Sequence, residues 1–345
     1  MNLICGVQNT ALKPTFDKVL KPSLIQILKL CKSLIEPVVH HCGKQWIVEC
    51  RKVVCCMGPV LFIVYVNDIT DNVKSSIKIF ADDTKLYTPT SKSDVLQNDI
   101  DSIMNWAVKW EMNFNVDKCK VMHYGHANLQ KQYVMNNKTL SDTQEECDLG
   151  VIFEKDLKFS KHISTKINKA NSILGLINRS FEFLDEYTFV KLYTALIRPH
   201  VEFANVVWNP YLIKDISSLE RLQQRATKLI SSLKDLTYID RLKKLKLPSL
   251  IHRRLRGDMI QTFKIVKGLD DCVFEIFFSY SASTRGHNLK LEMPRSRTTH
   301  CLHQFSRRVI KTWNNLPKNV VDSKSVHEFK IKLDQHWTGD TPYKV

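Results

Sequence analysis

The chain has 345 residues, of which 43% are hydrophobic and 25% charged, enough apolar mass for two or three packed units and too much for a disordered tail. Lysine and arginine outnumber aspartate and glutamate by 51 to 35, a formal net charge of +16 that points to an anionic partner, nucleic acid ahead of a membrane surface. The excess is uneven, since Arg285 to Lys318 holds eight basic residues against the single acid Glu292.

None of the ten cysteines sits in a CxxC pair, and Cys55-Cys56 are adjacent, so reduced thiols fit better than disulfides or zinc. His40-His41-Cys42 and Cys301-Leu302-His303 supply too few ligands at any recognised zinc spacing. The apolar run around Val60 to Val66 is far short of the roughly 20 residues a membrane span needs, and the first residues lack the pattern of a signal peptide. An intracellular protein, nuclear or cytoplasmic, is expected.

Residues 1–57 follow no single period. From Gly58 a compact apolar element runs to Asn67-Asp68, readable as a buried helix or strand. Ser76 to Phe80 and Thr84 to Tyr87 both alternate, which predicts two strands joined by a tight acidic turn at Ala81-Asp82-Asp83. An amphipathic helix follows through Val95, Ile100, Ile103, Trp106 and Ala107, with Ser93 as its candidate cap. Phe114 to Gly125 alternates as a strand, and Leu149 to Phe153 is a further short one. This predicts an α+β layer.

Beyond Ser160 the pattern turns helical. Ile163, Ile167, Ala170, Leu174 and Ile177 share one face; Phe189 to Ile197 forms a second stripe stopped at Pro199; Leu219 to Leu233 forms a third, opposite Arg221, Gln224, Arg225 and Lys228. Leu250 to Val266 is a basic helix, and after a weak stretch a last amphipathic piece runs from Ser325 to Trp337. Trp106 and Trp110 are read as core residues.

Adjacent carboxylates on a hairpin turn can hold a divalent cation, because the turn projects both toward one point and Mg²⁺ takes hard oxygen ligands. In its wider context the pair carries more weight. The ordered segments GPVLFIVYVNDI, IKIFADDTKLY, NWAVKWEMNFNVDKCKVMHYG, DLGVIFEKDLKFSKHI, LYTALIRPHVEFANVVWNP, LERLQQRATKLI and RTTHCLHQFSRRVIKTWNNLPKNVV resemble non-LTR, jockey-like retrotransposon reverse transcriptases.

That resemblance implies a partial polymerase palm over 58–158 (an antiparallel sheet with helices), an all-α thumb over 159–268 and a basic C-terminal region over 269–345, after a degenerate remnant at 1–57. By position, Asp82 would bind catalytic Mg²⁺ with Asp83 in support, and Lys118 or Lys120 would approach the phosphates of an incoming dNTP. RNA template and DNA primer are the implied partners. Arg253, Arg254, Arg256, Arg295, Arg297, Arg307, Arg308 and Lys311 are the candidate nucleic-acid contacts.

Two-metal phosphoryl transfer also needs a carboxylate from an earlier strand. If Phe16-Asp17 is the second half of the family's upstream motif, that position falls on Ala11, which has no oxygen to offer. The family's Pro-Gln-Gly loop reads Lys52-Val53-Val54 here, and the stretch from Asp17 to Gly58 is short, as a deletion, frameshift or misjoined exon would leave it. The expectation is a reverse-transcriptase-like protein with impaired chemistry, the alternative a nucleic-acid-binding module.

Overall fold

The computed structural model describes residues 2–5, 62–63, 66–110, 112–125, 128–282, 286–296, 298–337 and 341–343. Ala11, Phe16-Asp17, His40 to Cys42, Lys52 to Gly58 and Arg297 lie outside them. The chain divides into two compact units, Met1–Glu146 and Cys147–Val345.

The first unit is built on a five-stranded sheet ordered β2-β3-β1-β4-β7, from β1 (Asn2–Cys5), β2 (Ser76–Phe80), β3 (Asp83–Thr88), β4 (Lys120–His123) and β7 (Ser141–Asp142). The alternation of SIKIF leaves Ile77 and Ile79 half-buried while Ser76, Lys78 and Phe80 face solvent, as an edge strand should. Thr84, Lys85 and Leu86 are buried in succession, so β3 is covered on both faces. β1 pairs antiparallel with β3, Asn2 to Thr88 through Ile4 to Leu86, and on its other side with β4, Asn2 to His123 through Cys5 to Lys120.

Helix α1 (Ser93–Lys109) packs Leu96, Ile100, Ile103, Trp106 and Ala107 into the same core as Leu86, Val121 and Trp110. Polar side chains fix its placement. The buried carboxylate of Asp99 accepts the backbone N–H groups of Lys74 (2.9 Å) and Ser75 (2.7 Å), tying the entry to β2 onto the helix. Trp106 Nε1–H donates to Asp68 Oδ1 at 2.6 Å. Gln97 brackets Val134 in the small hairpin of β5 (Val134–Met135) and β6 (Lys138–Thr139), donating to its carbonyl at 2.8 Å and accepting its N–H at 2.9 Å.

One expectation shrinks in this unit. Of Phe114 to Gly125 only Lys120–His123 is strand, because Val116–Lys118 winds into a 3₁₀ turn in which Lys118 N–H reaches Asn115 O and Cys119 N–H reaches Val116 O. Alternation alone does not see such a local turn. Burial pushes the Cys119 thiol up to about 11, which leaves it protonated and inert at neutral pH.

The second unit is mostly helical. A hairpin of β8 (Glu145–Asp148) and β9 (Val151–Glu154) turns through Leu149 and Gly150, both at positive φ, a turn glycine enters without strain. Helix α2 (Ser160–Ser180) buries Ile163, Ala170, Leu174 and Ile177. Helix α3 (Glu186–Leu192) is capped by Asp185, which accepts from Tyr187 N–H at 2.9 Å and Thr188 N–H at 3.0 Å.

The stripe does not stop at Pro199. It passes through a π turn, Tyr193–Ile197, into α4 (Arg198–Glu202), where Pro199 sits in the first turn and its missing N–H is not needed. Helix α5 (Ile213–Thr227) buries Leu219, Leu222 and Ala226; α6 (Tyr238–Leu245) follows, absent from the sequence-based expectation; α7 (Leu250–Val266) has the bounds its apolar pattern implies.

Leu250 belongs to one core, with Ile163, Trp208 and Leu222, whereas Met259, Phe263 and Val266 belong to a second, with Trp313, Val320 and Phe329. Helix α7 therefore carries the unit's two cores at its two ends. The second is completed by short turns around Trp313 and by α8 (Val326–His336), begun by a capping box in which Ser325 accepts Glu328 N–H at 3.1 Å and Glu328 accepts Lys324 N–H at 2.7 Å. Among the described residues no helix is long and apolar enough to cross a membrane.

Two stability predictions follow from buried polar groups. Asp99→Ala orphans the buried N–H of Ser75 and the half-buried one of Lys74, so urea unfolding should show a loss of about 1–3 kcal/mol, chiefly from Ser75, with Asp99→Asn in between. His162 is fully buried beside Trp208, and its Nδ1 accepts Ile152 N–H at 3.1 Å, so it is held neutral. Burial lowers its pKa to about 4, below the value of about 6.5 in the unfolded chain. The unfolded state therefore binds the extra proton first, and stability should fall as pH drops from about 6.5 to 4, by roughly 3 kcal/mol for this residue. In His162→Gln that part of the slope should vanish from pH-dependent unfolding.

Candidate active site

Asp82 stands at the tip of the β2–β3 hairpin. The last ladder pair is Phe80 with Asp83, so Ala81 and Asp82 alone make the turn. Ala81 takes φ +50°, a left-handed conformation that costs a residue with a Cβ roughly 1–2 kcal/mol. Asp82 and Asp83 are each half-buried and Phe80 beside them is 61% exposed. The expected acidic turn is present in the expected place.

The strand alongside the hairpin is β1, and nothing in the chain before Asp17 is acidic. Two cations about 3.5–4 Å apart need bridging oxygens from more than one direction. Among the described residues no group of three or more His, Cys, Asp or Glu converges on a common point. Two adjacent carboxylates from one turn are half of a two-metal donor set, so the described residues do not fit a pair of magnesium ions, and no chemical step is derived through them.

Lys120 extends from β4, pairs with Glu146 at 2.9 Å and remains 41% exposed, while Lys118 is exposed in the 3₁₀ turn. Glu146 half-neutralises the first of these candidate phosphate contacts.

The basic residues proposed from sequence divide sharply in the second unit. Arg254 is 3% exposed on α7; burial lowers its pKa to about 10, and the nearby Glu220 and Asp258 hold its charge. Arg253 forks onto Glu202, whose attraction outweighs the cost of burial and raises the arginine's pKa. Arg256 forks onto Asp334 at 2.6 and 2.7 Å. Arg308 binds both oxygens of the buried Asp258 at 2.8 Å and donates to the carbonyls of Val206 and His303.

Arg253, Arg256 and Arg308 are engaged in ion pairs within the protein and Arg254 is buried, which corrects the sequence reading of them as open phosphate contacts; the Arg256–Asp334 pair is the one at the surface. Arg307 is half-buried and spends one nitrogen on the carbonyl of Arg295 and the hydroxyl of Ser296. Arg295 and Lys311 remain open to solvent.

The pattern of the reverse transcriptase (RNA-dependent DNA polymerase) family matches residues 15–177, a stretch that takes in Phe16-Asp17 and the Asp82 turn. The RNA-directed DNA polymerase from mobile element jockey of Drosophila funebris is 27% identical over a region covering 64% of this chain. Its counterpart in Drosophila melanogaster is 22% identical over the same share. The chain resembles the jockey-type reverse transcriptases. It spans 28% of the length of these two relatives.

The hairpin acids lie within the matched stretch, and several basic side chains of the second unit are engaged within the protein. Arg308→Ala takes the ion pair from the buried Asp258, leaving it Asn209 at 3.0 Å and the nearby Arg254, and thermal or urea unfolding should register a loss of roughly 3 kcal/mol. Arg295→Ala and Lys311→Ala should stay within about 0.5 kcal/mol of the unaltered protein.

Proposed function

We propose that the chain derives from an RNA-directed DNA polymerase of a non-LTR retrotransposon, and that it contacts nucleic acid without template-directed synthesis. In this reading residues 58–158 correspond to the palm, 159–268 to the thumb and 269–345 to a basic C-terminal region. Asp82 and Asp83 are the surviving acids of a magnesium site, and Lys118 and Lys120 lie where triphosphate contacts would be.

One observation carries the loss of synthesis. The slot beside the catalytic-type hairpin is filled by β1, and the sequence from β1 to Phe16 holds no acid. A lone carboxylate pair can attract a hydrated cation but cannot clamp two while a primer hydroxyl attacks in line. The net charge of +16 is undiminished by this loss and supports continued contact with RNA or DNA.

Primer extension on an RNA template with dNTPs and Mg²⁺ tests the reading. The purified chain, shown to melt cooperatively, should extend no more primer than Asp82→Ala. Extension that disappears in Asp82→Ala would establish that another carboxylate completes the site and would restore the polymerase.

A further inference from the structure

A pocket of about 560 Å³ opens on the second unit between α5 and the segment leading into α6. Its lining holds Arg221, Arg225, Lys228, Lys234 and Arg241, and no acid. Arg241 is the floor: it is buried, donates to Thr227 Oγ1 at 3.0 Å and to Leu236 O at 2.6 Å, and lies 5.8 Å from the Tyr238 ring. The other four cations are exposed and make no hydrogen bond or ion pair among the described residues. The nearest acids in sequence are committed or outside the lining. Glu220 is buried under Tyr238, Asp240 bonds the capping Thr237, and Asp235 lies in the connecting loop.

We infer that this pocket binds the phosphodiester backbone of single-stranded nucleic acid, without reading its bases. The inference rests on the nucleic-acid reading above and gives it an address. Arg221, Arg225 and Lys228 stand at i, i+4 and i+7 on the side of α5 opposite its buried Leu219, Leu222 and Ala226. At about 1.5 Å of rise per residue they span roughly 10 Å.

Lys234 comes from the segment that forms the opposite side of the pocket, after the 3₁₀ turn Ser231–Leu233. Cations on two walls of a concavity suit a single backbone lying inside it. A duplex, whose two strands stand apart across a rigid cylinder, meets such a pocket only at its rim. Base stacking is not on offer, because the one lining aromatic, Tyr238, donates its hydroxyl to Glu220 at 2.6 Å and has Arg241 against its ring.

Fluorescence anisotropy of the full chain with a labelled mixed-sequence single strand, measured across a salt series, tests this. The comparison is with the neutralised triple variant Arg221→Gln, Arg225→Gln, Lys228→Gln and, as a control elsewhere on the surface, Lys169→Gln with Lys191→Gln, two exposed lysines outside the pocket lining. All three positions of the triple variant are exposed, and an unchanged melting curve checks that it folds.

The triple variant should bind about tenfold or more weakly at low salt, with the log–log salt slope reduced by about 2, near 0.7 per lost phosphate contact. The control should keep most of the affinity, and unlabelled single strand should compete better than blunt duplex of equal length. Unaltered affinity and slope in the triple variant, with loss in the control, would move the contact elsewhere and overturn the pocket while leaving nucleic-acid binding intact. No binding by the native chain would sink both. Displacement of the strand by an equal concentration of free nucleoside triphosphate would reassign the pocket to nucleotides and also overturn the inference.

Discussion

Backbone pairing at β1 governs the first unit. A strand with partners on both sides has no freedom to choose its register, and Asn2–Cys5 is hydrogen-bonded to β3 on one edge and to β4 on the other. The hairpin that carries Asp82 is thereby joined to the rest of the sheet through this one strand, while Asp99 ties the entry to β2 onto the helix that covers the sheet. Among the described residues, the strand beside the acidic hairpin is β1. The sequence holds no acid from β1 to Phe16, so the sheet can be intact while the described residues bring no third metal ligand to Asp82 and Asp83. Fold and chemistry separate at this point: ladder hydrogen bonds need only a backbone, whereas bridging two cations needs particular side-chain oxygens.

Much of the fold was legible because its signals are local. SIKIF alternates and forms β2, the Leu250–Val266 pattern forms α7, and Ser325 with Glu328 starts α8. The failures have physical causes. Pro199 reads as a stop, yet a π turn ahead of it supplies a new helix start where proline is tolerated. The weak stretch after Asp270 carries no periodic signal because it is held by side chains reaching across sequence. Asn314 bonds the N–H and the carbonyl of Leu291, Trp313 Nε1–H reaches Leu289 O, and His287 meets Trp313 O. None of these bonds leaves a spacing to read.

The site was legible in part. Asp82 sits in the turn the sequence implies and Asp83 beside it opens β3, since alternation on both sides marks where the two strands end. The arginines were harder, because charge in a sequence does not say which way it faces. Arg253, Arg254 and Arg308 look like an exposed basic surface until their partners Glu202, Glu220 and Asp258, each far away in sequence, are brought beside them. Conversely, Arg221, Arg225 and Lys228 read as an ordinary polar helix face, and become a pocket wall only when the Lys234 segment folds over against it. Pairing across long sequence separations thus decides which cations remain available to phosphate.

The incomplete donor set around Asp82 is most directly tested by titrating the native chain, Asp82→Ala and Ala11→Asp with Mn²⁺ as a paramagnetic substitute for magnesium, following the bound ion by electron paramagnetic resonance. The account predicts that the native chain shows no saturable binding of a coupled pair of ions and differs little from Asp82→Ala, with any gain confined to Ala11→Asp. Two spin-coupled ions bound by the native chain and lost in Asp82→Ala would contradict it.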